Sequence, residues 1–197
     1  FRSNGSCSEM YFQNFRALPR EKMGLTVLHG VELNILDSQG HVDLTERTLQ
    51  NMDLAVASIH MPCYVCGSRA ENTRAYLNVM KNPYVNIIGH PDDARFSIEY
   101  EPLVEGAKEH HVLLEVNNAS LSPTSFRGNP REAYYEMLEY CKTYQVPIIM
   151  NSDAHVDIAV GQHQQAEEVL AEVDFPSELV ANYSLELVRE YLNYYRK

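Results

Sequence analysis

Glu32 in Gly-Val-Glu-Leu-Asn, His60 in Ala-Ser-Ile-His, His90 in Ile-Gly-His-Pro-Asp-Asp, and Asp153 with His155 in Asn-Ser-Asp-Ala-His are all residue types that ligate metal ions. Each stands at or just after the end of a short apolar run. Imidazole nitrogen combined with carboxylate oxygen suits zinc, manganese or iron better than calcium, which prefers shells of oxygen alone. Asp153 and His155 are two residues apart, so along a continuing strand their side chains share a face and converge on one ion. An ion held there activates a water for hydrolysis and polarises the group under attack. A strand-end histidine taken alone is more often structural; recurrence of ligand types at equivalent places in successive units is what marks a shared metal site.

Glu115, Asn117 and Asn118 in Leu-Glu-Val-Asn-Asn belong to the same edge, the two asparagines as substrate-binding candidates. Arg127 in Ser-Phe-Arg-Gly carries the planar fork that clamps a phosphate bidentately. Asp92 and Asp93 read equally as supports for the ligands or as a solvated turn. His29, His41, His110, His111 and His163 read as surface or structural residues. Cys63 and Cys66 form a C-x-x-C just after His60, but no second ligand pair completes a structural zinc site. They read as loop thiols whose nearness to His60 could make the site redox-sensitive. No phosphate-binding glycine loop and no G-x-S-x-G elbow occurs, which leaves metal-activated water as the nucleophile.

The elements that must position these residues alternate. Apolar, β-branched runs at 25–35, 54–59, 85–88, 112–116 and 146–150, with a weaker one at 179–182, predict buried strands. Helical segments fall between them at 44–52, 69–80, 102–110, 130–144, 162–173 and 184–195, with Pro130 suited to a first turn and Ser184 to an N-cap. The repeat of about 30 residues is that of a βαβ unit and predicts parallel strands covered by helices. An α/β barrel and an open doubly wound sheet both satisfy it, and both place their sites at the carboxyl ends of the strands.

The 197 residues, 45% of them hydrophobic, are enough for one domain with a sizeable core. A net charge of −11 argues against a broad nucleic-acid footprint and requires any phosphate to be held locally. No stretch reaches the roughly 20 apolar residues of a membrane span, and the first nine residues lack a signal-peptide core. The chain therefore reads as cytoplasmic. Cys7 and Cys141 stand alone, outside any secreted disulfide framework, and the N-x-S sequons at Asn4, Asn118 and Asn182 are not glycosylation sites in that compartment.

In their order and spacing, G-V-E-L-N-I, A-S-I-H, I-G-H-P, L-E-V-N-N-A-S and N-S-D-A-H resemble the later motifs of the polymerase-and-histidinol-phosphatase (PHP) superfamily, most closely its small stand-alone bacterial phosphatases. The likeness runs from about Met10 to about Tyr194 and includes Val173-Asp174-Phe175-Pro176. It implies a single domain over 1–197 folded as a distorted (βα)7 TIM-like barrel, with up to three zinc, manganese or iron ions at the carboxyl rim. The implied reaction is hydrolysis of small phosphomonoesters, as in histidinol phosphatases. Glu32 then looks like a bridging carboxylate and His60 and His90 like ligands of the same ion pair. Asp153 and His155 look like ligands from the last metal-binding strand and the catalytic residues, while Asn117, Asn118 and Arg127 would line the substrate pocket. The family's opening His-x-His and Thr-Asp-His motifs are absent. Two strands are expected to be missing with them, so a three-metal site needs ligands from elsewhere and the open edge invites a second copy of the chain. Two rivals stand beside the phosphatase: a PHP-type 3′–5′ exonuclease or nuclease, disfavoured by the acidic balance, and a degenerate non-catalytic module.

Overall fold

The computed structural model of the protein describes residues 9–196, apart from the side chains of Gln13 and Arg16. Cys7, the Asn4 sequon and nearly all of the opening nine residues lie outside the described part. The chain is a mixed α/β fold around five parallel strands in sequence order. These are β3 (Gly30–Asn34), β4 (Leu54–Ser58), β5 (Ile87–Ile88), β6 (Leu113–Asn117) and β7 (Ile148–Asn151). A small antiparallel pair, β1 (Glu21–Lys22) and β2 (Leu25–Thr26), precedes them. The run at 25–35 thus divides into β2 and β3, with His29 in the connection.

Helices fill the crossovers: α2 (Glu46–Leu49), α3 (Arg69–Val79), α4 (Tyr100–His110), α5 (Pro130–Tyr144) and α6 (Gln164–Glu172). The short α1 (Met10–Gln13) comes before the sheet, and α7 (Leu185–Tyr191) and α8 (Asn193–Arg196) close the chain. Local chemistry sets several boundaries. Ser68 accepts the Glu71 amide while the Glu71 carboxylate accepts the Ser68 amide, a reciprocal cap that starts α3. Pro130 opens α5, and Ser184 caps α7 through the Leu187 amide. The run at 179–182 is not a strand but two 3-10 turns with a single parallel bridge, Ile148 to Val180. Asn182 there takes the place of a neighbouring strand: its side-chain oxygen accepts the Met150 amide at 2.7 Å and its nitrogen donates to the Met150 carbonyl at 2.9 Å.

Strand alternation sorts the core into two faces. Leu33, Ala55, Ala57, Ile88, Leu114, Val116, Ile148 and Met150 pack with the buried stripes of α3 to α6. On the opposite face Leu54, Val56, Ile87, Leu113 and Ile149 meet Leu187, Tyr191 and Leu192 of the closing helices. Moving along that second face toward the carboxyl ends, the same alternation replaces apolar side chains with Glu32, Ser58, Glu115, Asn117 and Asn151. The closing helices plug one end of the face, and the polar end stays open for a site.

Candidate metal centre

Glu32 within β3 and His60 and His90, each two residues beyond the ends of β4 and β5, converge. Their ligand atoms all lie within 4.8 Å of one another. His60 Nε2 is 3.3 Å and His90 Nε2 3.0 Å from the same atom, Glu32 Oε1, which also accepts from Ser58 Oγ at 2.8 Å. The two rings stand 5.1 Å apart, centre to centre. Burial works to raise the Glu32 pKa, yet the hydrogen bonds from His60 and His90, the His90 charge and the Ser58 hydroxyl outweigh it and hold the carboxyl well below its usual range.

Each ligand type is oriented by a particular local device. His60 continues the alternation Leu54, Val56, Ser58 and so points to the open face; its Nδ1 meets Asn34 Oδ1 at 2.8 Å, and Asn34 donates in turn to Asp43 Oδ2 at 2.5 Å. With Nδ1 donating to Asn34, the Nε2 that faces Glu32 is the nitrogen that ligates once it gives up its proton. His90 would follow Ile88 to the helix-covered face if β5 simply continued. Its φ of +28° turns it instead toward the cleft. Gly89 permits the close approach, since a Cβ there would lie 2.2 Å from Ser58 Oγ. Among the described residues, His90 Nδ1 and Asp92 Oδ2 are buried side-chain polar atoms with no hydrogen-bond partner. Two imidazoles and one carboxylate form a donor set that fits a divalent transition metal.

The far wall of the cleft, which holds about 450 Å3, carries Arg127, Asp153 and His155. Here the pleat argument for Asp153 and His155 is corrected. β7 ends at Asn151 and Asp153 has φ +49°, so the two side chains do not share a strand face. Asp153 Oδ2 turns inward to accept from Asn117 Nδ2 at 3.1 Å and Arg127 Nη2 at 3.4 Å. The His155 side chain is 86% exposed, its Nδ1 3.0 Å from the Asp153 carbonyl. Both residues line the cleft without joining the close three-residue group.

Asn117 and Asn118 do not line the cleft. Asn117 ties Asp153 to Glu115 Oε2, 3.1 Å from its Nδ2, and its oxygen accepts the Ser120 amide. Asn118 Oδ1 accepts the amides of Gln165 and Ala166, so it holds the first turn of α6. Arg127 does face the cleft, with Nη1 donating to Ser120 Oγ at 2.6 Å.

Beneath these residues lies a buried layer formed by Asp92 and Glu115, of which the sequence left Asp92 open between a support and a solvated turn. Asp92 is not in a solvated turn: it is 1% exposed and accepts from Tyr134 Oη at 2.5 Å and Ser120 Oγ at 3.3 Å. Glu115 accepts the His90 amide at 2.5 Å and Asn151 Nδ2 at 2.7 Å. Burial raises the pKa of both carboxyls, against the lowering effect of their donors. A glutamate inside the otherwise apolar Leu-Leu-Glu-Val was the signal available for Glu115.

Known proteins agree on one point. A probable phosphatase of Clostridium novyi (strain NT) is 42% identical over 172 residues, covering 87% of this chain and 70% of that protein. The chain belongs to this phosphatase family. Probable phosphatases of Clostridium botulinum (strain Langeland) and Caldicellulosiruptor bescii are 40% and 38% identical, covering 95% and 98% of this chain and 76% and 79% of their own lengths. No family model matches. Among solved structures, a chain in a cryo-EM structure of archaeal ribonuclease P with mature tRNA covers 94% of this phosphatase-family chain and 75% of its own, with TM-score 0.56 and 16% identity, a likeness of fold. Among the described residues no helix is long and apolar enough to cross a membrane.

Proposed function

We propose that the chain is a single PHP-type domain, a distorted (βα)7 barrel in design, that hydrolyses small phosphomonoesters with divalent transition metals, zinc, manganese or iron. The observation that carries this reading is the meeting of His60 Nε2 and His90 Nε2 on one oxygen of Glu32. Bound there, a divalent metal supplies an activated water and neutralises charge on the phosphoryl oxygens. The chain's own residues do the rest. Asn34 keeps His60 in the ligating tautomer, and Ser58 holds Glu32 in place. Arg127 offers its fork to the phosphate from the opposite wall. Asp153 and His155 are the proposed further ligands and catalytic pair; for His155 this requires its exposed ring to swing inward.

The test combines metal content with chemistry. After exhaustive dialysis without chelator, elemental mass spectrometry is expected to find transition metal bound at one or more ions per chain, and phosphate release from a phosphomonoester panel should depend on it. A chain that holds no metal and releases no phosphate, and gains neither once the family's His-x-His and Thr-Asp-His strands are restored upstream, is the degenerate module instead. Competition by single-stranded DNA against a small ester separates out the nuclease; net charge −11 supports the small ester.

A further inference from the structure

Phe126 lines the same cleft as Glu32, His60 and Arg127 and is 73% exposed. A lone exposed phenylalanine on a loop needs no explanation. This one is held in place by three separate features. The Ala94 amide donates to the Arg127 carbonyl at 3.0 Å, joining the loop after β5 to the loop after β6. Gly128, at φ +97°, lets those loops press together, because a Cβ there would lie 2.8 Å from the Ala94 Cβ. Arg95, gripped by both oxygens of buried Asp93 at 2.8 and 2.5 Å, places its guanidinium carbon 4.9 Å from the centre of the Phe126 ring. The Arg127 guanidinium carbon lies 5.8 Å from the same centre.

An open aromatic ring fixed by a locked guanidinium, beside an arginine able to take a phosphate, is a stacking platform next to an anion clamp. We infer that the phosphate ester accepted by this cleft carries a planar aromatic group, which stacks on Phe126 while Arg127 holds the phosphate. The inference rests on the phosphoesterase reading and deepens it to a substrate class: aryl or heteroaryl phosphates rather than sugar or polyol phosphates. The cleft volume of about 450 Å3 lies within the usual range for a small organic ligand. Stacking asks for flatness rather than for a particular hydrogen-bond pattern, so related aromatic esters should be accepted in common.

The test uses phosphonates, which bind without being hydrolysed. Isothermal titration calorimetry of the full chain with Mn2+ present compares phenylphosphonate with cyclohexylphosphonate, similar in size and differing in flatness, with methylphosphonate as the phosphate-only probe. The phenyl compound is expected to bind about threefold to tenfold tighter than the cyclohexyl one, from the worth of an aromatic pair. Phe126→Ala should bring that ratio close to one and Phe126→Trp should preserve it. Equal affinities in the unmodified chain, or a preference that survives Phe126→Ala, overturn the stacking platform and leave the phosphoesterase reading standing. Failure of all three phosphonates, methylphosphonate included, to bind at millimolar concentration defeats the phosphoesterase reading and the inference with it.

Discussion

Two buried polar networks sit at opposite ends of the same sheet face, and they differ in completeness. At the amino end of β5, Asn86 is fully buried and every polar group it owns is used. Its Oδ1 accepts the Ala55 amide at 2.9 Å, and its Nδ2 donates to the Tyr191 carbonyl and to Asn193 Oδ1 at 2.8 and 3.0 Å. Its backbone bonds both neighbouring strands, and Asn193 goes on to the Tyr84 carbonyl. At the carboxyl end, His90 Nδ1 and Asp92 Oδ2 are left over, and the backbone turns left-handed at His90 and at Asp153. Among the described residues, other left-handed non-glycine positions include His111 and Gln145, which end α4 and α5, where that conformation is ordinary. His90 and Asp153 have no such excuse. A satisfied network stabilises a fold, whereas strain and unpaired polar atoms persist where something else is being arranged for.

The largest effects should follow from removing a ligand at the incomplete end. His90→Ala is expected to lower metal affinity by more than about 100-fold, beyond the loss typical of a supporting residue, and to abolish phosphate release. Metal content and turnover measured on the same preparation check it. A His90→Ala chain that keeps its metal would break the contrast between the two ends. Next comes Asn34, which touches His60 rather than the ion. Asn34→Ala should weaken metal binding by about 10-fold to 100-fold, and Asn34→Asp, which preserves an acceptor for His60 Nδ1, should recover part of it.

At the complete end the expected change is in stability alone. Asn86→Ala strands the Ala55 amide and the Tyr191 carbonyl, at a cost of about 1–3 kcal/mol. In a chain of this size that lowers Tm by about 2–4 °C per kcal/mol, with metal content per folded chain unchanged. Thermal unfolding followed by circular dichroism, paired with elemental analysis, reads both quantities. If Asn86→Ala costs metal as well, the two networks are one unit and the distinction fails.

What was legible in the sequence follows the same division. Apolar runs that stop just before His60 and His90 locate strand ends, because an imidazole side chain cannot continue a covered strand without a partner, whereas Glu32 lies inside β3. Helix limits were legible where a local signal exists, as with Pro130 at the start of α5 and Ser184 before α7. What escaped depends on distant partners. His-Pro-Asp-Asp reads equally as a support or a solvated turn until Tyr134, 42 residues on, reaches Asp92. Asn118 looks like a pocket residue until α6 starts against it, and the spacing of Asp153 and His155 misleads because β7 stops two residues before Asp153. Tertiary capping, and the end of β7 at Asn151, leave no local trace in the chain.

The smallest predicted effect has a sign that separates the two ends most cleanly. Burial lowers the His90 pKa, but its bond to Glu32 and the charges of Glu115 and Glu32 prevail over burial and Arg127, leaving it above the ordinary 6.5. A group raised on folding stabilises fully below its unfolded pKa and loses that contribution as pH rises through the folded value. The Glu32 carboxyl, held below its ordinary 4.5, contributes above that value and is lost only as pH falls through its depressed one. For these two groups the metal-free chain is therefore most stable between about 4.5 and 6.5 and weakens slightly above. Metal binding reverses the upper slope, since ligation needs neutral imidazoles and releases their protons, so a loaded chain should gain stability from pH 6 to pH 8. Melting curves across that range, with and without Mn2+, should show opposite slopes. Asn86→Ala should displace both curves downward without altering either slope, because Asn86 carries no ionisable group; slopes of the same sign with and without metal would remove His90 from the ligand set.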